Sequence, residues 1–166
     1  MKVFRTAAVL IVLTALLIAA ILVPHQQAVS ATTTPPSAGF TLHIDADQHF
    51  GSAHPNEIAH HWCKNISPNL TECQLYDSDG PGARLVGVET IVPPAVWKTF
   101  SPAEQALWHY HKTELKKIHA TLPDTPKNQQ AAIIAKISDT YGKVWILWDP
   151  MTSQNPIGQP SITVLH

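Results

Sequence analysis

An uncharged apolar run near the N-terminus constrains this chain of 166 residues more than any other feature. Residues 7–23 contain no charged side chain, and Lys2 and Arg5 precede them. About 20 apolar residues are needed to cross the hydrocarbon core of a bilayer, and basic flanks tend to stay on the cytoplasmic side. The small residues AVSA at positions 28–31 suit cleavage by a signal peptidase. We therefore expect residues 1–31 to be a signal peptide or an N-terminal membrane anchor, and the remainder to be exported.

The part of the chain after this run has the size and charge of one acidic domain. Residues 32–39, TTTPPSAG, have the composition of a tether, and residues 40–166 are enough for one hydrophobic core but too few for two. After Lys2 and Arg5 are removed, nine basic residues face 12 acidic ones. This balance argues against a nucleic-acid partner. The expected partner at this point is a membrane, through the N-terminal run.

Two cysteines, Cys63 and Cys73, lie close together in the sequence. In an oxidising compartment such a pair is expected to form a disulfide. The alternative is a Cys63 nucleophile activated by a neighbouring histidine, but a lone reactive thiol outside the cytoplasm would be oxidised. Sequons for N-glycosylation begin at Asn65 and Asn69, which indicates an exposed loop between the cysteines.

Apolar periodicity predicts strands. Residues 40–50, FTLHIDADQHF, alternate with period two and place His43, Asp45, Asp47 and His49 on one polar face. Residues 73–77 and 83–92 flank the turn sequence SDGPG and are typical of a hairpin. Residues 143–149, KVWILWD, are apolar on both faces, as in a covered central strand.

Capping signals predict two main helices. Ser101, Pro102 and Glu104 form a capping box, so we expect a helix from there to about His119. A second helix is expected after Thr125-Pro126, with Gly142 at its C-terminal end. The predicted fold class is α+β: a single compact domain with an antiparallel-rich sheet and two main helices, after an N-terminal hydrophobic helix.

Eight of the ten histidines lie between His43 and His119, which suggests either a metal site or a hydrogen-bond network around the tryptophans. Imidazole and carboxylate groups are ligands of divalent transition metals, which are the candidate cofactors here. The candidate ligands are His43, His49, His60, His61, His109, His111 and Glu114.

The conformation of LWHYHKTE decides whether two of these ligands can act together. On a continuous helix, residues two apart point in nearly opposite directions. We therefore expect His111 and Glu114 to face inward and His109 to point elsewhere. If HYH is extended instead, both imidazoles lie on one side.

Other motifs indicate no particular chemistry. The sequence has no GxSxG, phosphate-binding glycine loop, HExxH or CxxC, which favours a function without catalysis. Asp77 and Asp79 are typical of a turn, and a calcium loop would need a later acidic residue. Arg84 and Glu89 are expected on opposite faces of one strand, in separate ion pairs.

Several motifs, read in order, resemble the oil-body-associated protein family, formerly known as a domain of unknown function. They are HHWC, CQLYDSDGPGARLVGVE, LWHYHKTEL, YGK and PIGQP, and together they extend over about residues 42–161. The matching positions are His60, His61, Cys63, Cys73, Asp77, Ser78, Asp79, Ala83, Arg84, Leu85, Gly87, Val88, Glu89, Trp108, His109, His111 and Glu114.

The resemblance implies association with seed oil bodies for the plant relatives and supplies no catalytic activity to carry over. This chain also departs from the pattern, with Lys112 where relatives have glutamate and Val144, Trp145 and Ile146 where relatives have a histidine in the strand. Two functions remain open. One is an exported or membrane-anchored domain that binds lipid, a surface or a protein; the other is a metal-binding protein or metal-dependent enzyme that uses the histidines.

A reporter fusion tests the expected export. Alkaline phosphatase, which is active only outside the cytoplasm, should be active when fused after Gly39. The matched control carries Leu13→Arg and Leu17→Arg, which interrupt the apolar run and should abolish the activity. An inactive fusion to the unchanged chain would contradict export.

Overall fold

Antiparallel pairing joins seven strands in residues 34–164, the part of the chain that the computed structural model describes. In chain order they are β1 (Leu42–Ala46), β2 (Ala59–Ser67), β3 (Leu70–Tyr76), β4 (Leu85–Val92), β5 (His109–Tyr110), β6 (Tyr141–Ile146) and β7 (Ser161–Thr163). Their order across the sheet is β1-β2-β3-β4-β6-β5, and β7 also pairs with β6. The expected hairpin of β3 and β4 and the expected strand after residue 143 are both present.

Helices are few and short. They are α1 (Pro94–Trp97), α2 (Pro102–Gln105), α3 (His111–Glu114) and α4 (Lys127–Ser138). The α+β class agrees with this sheet-rich architecture. The prediction of two main helices was wrong, because only α4 is longer than four residues among the described helices. Helix α4 begins directly after Pro126, as expected, but ends at Ser138, and Gly142 lies inside β6.

The capping box starts a helix, but that helix does not continue to His119. The Ser101 hydroxyl accepts a hydrogen bond from the backbone N–H of Glu104 at 3.2 Å. Helix α2 nevertheless ends after one turn, and His109 and Tyr110 pair with β6 opposite Gly142 and Tyr141. Histidine and tyrosine are weak helix formers, so sheet pairing and burial outweigh the local helix signal.

The segment between the cysteines, which was expected to be a loop, forms the end of β2, a tight turn and the start of β3. Cys63 lies directly opposite Cys73 in the β2–β3 hairpin, and the expected disulfide joins them. Asn65 and Asn69 are exposed near the hairpin tip, as the sequons indicated.

The two faces of the sheet have different surroundings. The inner face, defined by Cys63, Cys73, Leu75 and Val144, forms the hydrophobic core, against which the isoleucines of α4 pack. Alternation along β1 and β2 places polar residues, including His43 and His60, on the opposite, outer face.

The polar face predicted for residues 40–50 is correct only as far as the end of β1. The strand ends at Ala46, and Gln48 has a φ of 63°, which turns the chain. His49 therefore packs edge-on against His61, with 4.7 Å between ring centroids, and not beside His43.

No helix within residues 34–164 has the length and apolar character needed to cross a bilayer. The predicted signal peptide or membrane anchor, residues 1–31, lies outside the described residues.

Candidate metal centre

Five polar side chains meet on the inner face, in a site we call the inner cluster: His49, His61, Glu89, His109 and His111. Each of these residues is between 2% and 5% exposed. Buried charged groups require compensating partners, so the cluster must be held together by specific contacts. It includes four of the predicted metal ligands and adds Glu89, which was expected only to form an ion pair.

Glu89 is at the centre of these contacts. Its Oε1 lies 3.2 Å from Nε2 of His111 and 3.4 Å from Nε2 of His109. Its Oε2 lies 3.7 Å from Nε2 of His61. Ligands bound to zinc at 2.0–2.1 Å in a tetrahedron are roughly 3.3 Å apart, so these donor atoms have the spacing of a coordination shell.

The sheet register explains why residues distant in sequence converge. Strand β5 pairs with β6 at Gly142, and the chain enters α3 immediately afterwards, so His109 and His111 lie on the same side. Their ring centroids are 4.9 Å apart. The expectation that His109 would point elsewhere was wrong, because the continuous helix on which it depended does not form.

Hydrogen bonds at Nδ1 fix the orientation of three rings. His49 donates to the Asp47 carbonyl at 2.8 Å, and His61 donates to the Ala59 carbonyl at 2.9 Å. His111 donates to the Thr140 hydroxyl at 2.8 Å. That hydroxyl can only accept, because it donates its own proton to the Ile137 carbonyl at 2.6 Å.

These orientations leave Nε2 lone pairs inside the cluster. In a neutral imidazole whose Nδ1 carries the proton, Nε2 is an acceptor. The neutral form of His111 would therefore place a lone pair 3.2 Å from a carboxylate oxygen of Glu89. Two acceptors at this distance repel each other unless a proton or a metal ion lies between them. A hydrogen bond donated by a protonated His111, or a shared metal ion, would turn this contact into an attraction.

Burial also determines the protonation of the cluster. Burial, followed by the charge of His61, lowers the pKa of His49 to about 3. Burial likewise lowers the pKa of His61. For Glu89, burial opposes ionisation, but hydrogen bonds from His109 and His111 outweigh it and hold the pKa well below the usual value. At neutral pH, His49 and His61 are neutral potential ligands beside an ionised carboxylate.

The remaining space is small. The inner cluster borders a cavity of about 20 Å³, whose other walls are apolar side chains such as Ile44 and Leu115. A cavity of this volume holds one water-sized species. It can accept an ion but has no room for an organic substrate.

The structure places the other predicted site residues elsewhere. His60 lies on the outer face with His43, and Glu114 is buried but accepts from the Thr113 hydroxyl at 3.1 Å. Arg84 pairs with Asp77, which separates it from Glu89 as expected. Asp77 lies at the turn after β3, as expected. Trp108 donates a hydrogen bond from its indole nitrogen to Glu104 at 2.8 Å.

The sequence contained signals for Glu89 and Gly142, two residues that were not predicted to belong to this site. Glu89 is the one charged residue in the apolar strand LVGVETIV, and a buried acid in such a strand needs a cationic partner. Gly142 directly follows Tyr141 in the motif YGK. A Cβ at Gly142 would lie 2.6 Å from Nε2 of His109 and would also collide with the Glu89 carboxylate. Glycine is therefore required for these two side chains to meet beside β6.

A protein-family model matches nearly the whole of the described domain, and curated proteins match about two thirds of the chain. The family model for "Protein of unknown function (DUF1264)" matches residues 35–165. Oil body-associated protein 2B of Zea mays is 36% identical over 112 residues, which are 67% of this chain and 45% of that protein. Oil body-associated protein 1B of Arabidopsis thaliana is 34% identical over 105 residues, which are 63% and 44% of the two chains. The chain thus spans less than half the length of these curated relatives, and no solved structure matches it.

Replacing Gly142 tests the packing of the inner cluster. Gly142→Ala should lower the free energy of unfolding by about 1–3 kcal/mol, because the new methyl group overlaps Glu89 and His109. Urea denaturation measures the change. Gly82→Ala is the matched control, since no atom lies within 4 Å of the added Cβ, and it should change stability by about 0.5 kcal/mol or less. Equal stabilities for the two variants would contradict the packing described.

Proposed function

The chain belongs to the family described as protein of unknown function (DUF1264), and we propose that its domain binds one divalent transition-metal ion in the inner cluster. The relatives named oil body-associated proteins agree with the resemblance drawn from the sequence motifs. Their names state no metal, so the proposal depends on the geometry of this chain.

One observation carries the proposal: Nε2 of His109 and Nε2 of His111 both face the same carboxylate oxygen of Glu89. The Thr140 hydroxyl fixes the His111 ring with its Nε2 toward that oxygen. Metal-binding histidines commonly donate their second ring N–H to a carbonyl, carboxylate or hydroxyl in this way. A metal ion between the three donor atoms would replace acceptor repulsion with three bonds.

The donor set favours an ion that prefers nitrogen ligands. His61 adds a further imidazole beside the Glu89 carboxylate, His49 packs against His61, and the two cysteines are joined in a disulfide. Imidazole suits Zn²⁺, Fe²⁺, Cu²⁺ and Ni²⁺ better than it suits Mg²⁺ or Ca²⁺. Zn²⁺ tolerates a tetrahedral arrangement with mixed nitrogen and oxygen donors, so it is the ion proposed for this site.

The proposed role is structural. The inner cluster joins β2, β4, β5 and α3, and the adjoining cavity leaves space for one small species. An ion that binds only the folded state stabilises it by about 4 kcal/mol when its free concentration is about 1,000 times Kd. Bound zinc would therefore hold β5, a strand of two residues, and α3, a single turn, against the longer strands β2 and β4.

Metal analysis of paired glutamate variants tests this proposal. The purified chain is dialysed against buffer containing Zn²⁺, and the number of metal ions bound per chain is measured by elemental mass spectrometry. Glu89→Gln should hold one ion fewer than the wild type, because the amide keeps the shape of the side chain but loses the anionic ligand. Glu114→Gln is the matched control, since Glu114 is equally buried but lies outside the cluster, and it should hold as much zinc as the wild type.

Thermal unfolding supplies a second measurement. Zinc should raise the Tm of the wild type and of Glu114→Gln, and should raise it much less for Glu89→Gln. If Glu89→Gln retained the full zinc content and the full rise in Tm, the inner cluster would be only a histidine–glutamate hydrogen-bond network.

A second proposal concerns lipid. The curated relatives are named for oil bodies, and we propose that this chain is exported and attaches to a lipid surface through the apolar run at residues 7–23. Within residues 34–164, no two of the exposed large hydrophobic residues are adjacent in the sequence: Ile58, Ile66, Leu85, Ile157 and Ile162. Isolated exposed hydrophobic residues are ordinary on protein surfaces, which favours the N-terminal run as the contact.

Flotation with phosphatidylcholine vesicles tests this attachment. The full chain should rise with the vesicles in a sucrose gradient, and the double variant Leu13→Arg, Leu17→Arg should remain at the bottom because two charges would enter the bilayer core. Ile157→Arg is the control, because it places a charge at an exposed apolar position of the domain, outside the N-terminal run. This variant should float like the wild type. Flotation that persists in the double variant would contradict the proposed attachment.

A further inference from the structure

A second group of histidines and carboxylates lies on the outer face of β1 and β2. We call it the outer cluster: His43, Asp45, His60 and Asp79. Asp45 on β1 is directly opposite His60 on β2, while Asp79 approaches from the loop between β3 and β4. The inner and outer clusters are on opposite faces because adjacent residues of a strand, such as His60 and His61, point in opposite directions.

Four donor groups of the outer cluster are unusually close together. Nδ1 of His60 lies 2.7 Å from Oδ1 of Asp45 and 2.9 Å from Oδ2 of Asp79. Nε2 of His43 lies 3.0 Å from Oδ1 of Asp45 and 3.0 Å from Oδ1 of Asp79. Each imidazole nitrogen thus faces two carboxylates, although one ring nitrogen supplies at most one proton.

Hydrogen bonding within the cluster accounts for only one of these four contacts, that between Nε2 of His43 and Oδ1 of Asp45 at 3.0 Å. Nδ1 of His60 is buried, yet neither nearby carboxylate oxygen is placed to form a hydrogen bond with it. Nδ1 of His43 donates to Asp124 at 2.8 Å, so Nε2 can also donate to Asp45 only when the imidazole is protonated; in the neutral form Nε2 has only a lone pair to direct toward Asp45 and Asp79. Donor atoms that crowd together without hydrogen-bond alignment are typical of ligands around a shared cation.

The surroundings of His43 match those of a metal-binding histidine. The carboxylate of Asp124 fixes the tautomer by accepting the Nδ1 proton, as outer partners of metal ligands commonly do. The ring of His43 stacks on Trp62, with 4.3 Å between centroids and 9° between planes. The His43 side chain is 3% exposed and is therefore held in one orientation.

We propose that the outer cluster is a second divalent-cation site, which binds Mn²⁺ or Fe²⁺ through His43, Asp45, His60 and Asp79. Ligands at about 2.1 Å in an octahedron are roughly 3.0 Å apart, close to the 2.7–3.0 Å separations found here. Two carboxylates and two imidazoles suit first-row ions with octahedral preference better than they suit Ca²⁺. Two positions of the octahedron remain for water or another small ligand.

Unlike the inner cluster, the outer cluster is open to solvent on one side. The Asp79 side chain is 43% exposed, and it also lines a surface cavity of about 410 Å³ together with Trp62 and Tyr76. Water or a small anionic ligand bound to the metal could extend into this cavity. The site therefore has the accessibility of an exchangeable or reactive metal, and not of a structural one.

Titration of the full chain with Mn²⁺ tests the site, because paramagnetic Mn²⁺ that retains an exchanging water enhances the relaxation of solvent protons. The wild type should bind one Mn²⁺ with such enhancement. Asp79→Asn and His60→Gln should weaken the binding at least about 100-fold, because each removes a direct ligand. Asp124→Asn should weaken it by about 10–100-fold, the effect expected of a partner that positions a ligand.

Two controls separate this site from the inner cluster. Glu57→Gln removes one exposed negative charge outside the outer cluster and should leave Mn²⁺ binding unchanged. Glu89→Gln should also retain the Mn²⁺ site while losing zinc from the inner cluster. Asp79 is exposed, so Asp79→Asn is expected to fold normally, and circular dichroism verifies this. Absence of Mn²⁺ binding by the wild type, or binding unaffected by both Asp79→Asn and His60→Gln, would overturn the proposal without affecting the zinc proposal.

Discussion

A carboxylate buried among imidazoles is the contact on which the rest of this structure depends. Glu89 is 5% exposed, and an ionised group in such a place is tolerated only with compensating charge or strong hydrogen bonds. His109 and His111 supply that compensation, which requires an extended backbone at His109. Helix α2 therefore ends after one turn, and position 142 must be glycine, since any side chain there would displace the carboxylate.

The sheet divides the histidines into two sites with different properties. The inner cluster is closed, rich in nitrogen donors and linked to four elements of the fold, as suits an ion that stabilises structure. The outer cluster has equal numbers of imidazoles and carboxylates and an exposed edge at Asp79, as suits an ion that exchanges ligands. In the proposed arrangement, one domain combines a stabilising metal with an accessible one on opposite faces of the same sheet.

Local sequence signals predicted those parts of the fold that depend on neighbouring residues. The turn SDGPG predicted the β3–β4 hairpin, Ser101 predicted a helix start, and the spacing of Cys63 and Cys73 predicted their disulfide. The end of helix α2 was not predictable in this way. The capping box and the lysines after it favour continuation, and the opposing interaction comes from β6, about 30 residues further along the chain.

The sequence by itself determined the apolar run, the family resemblance, the α+β composition and the histidines that are candidate metal ligands. Only the tertiary structure decided how those residues divide: His61 joins His49 and Glu89, while His60, its neighbour, joins His43 and Asp79. The alternation of a strand separates two adjacent side chains, but which partners each one meets depends on strand order and register. Those are set by pairing between distant segments and by burial of the core, and no local pattern contains them.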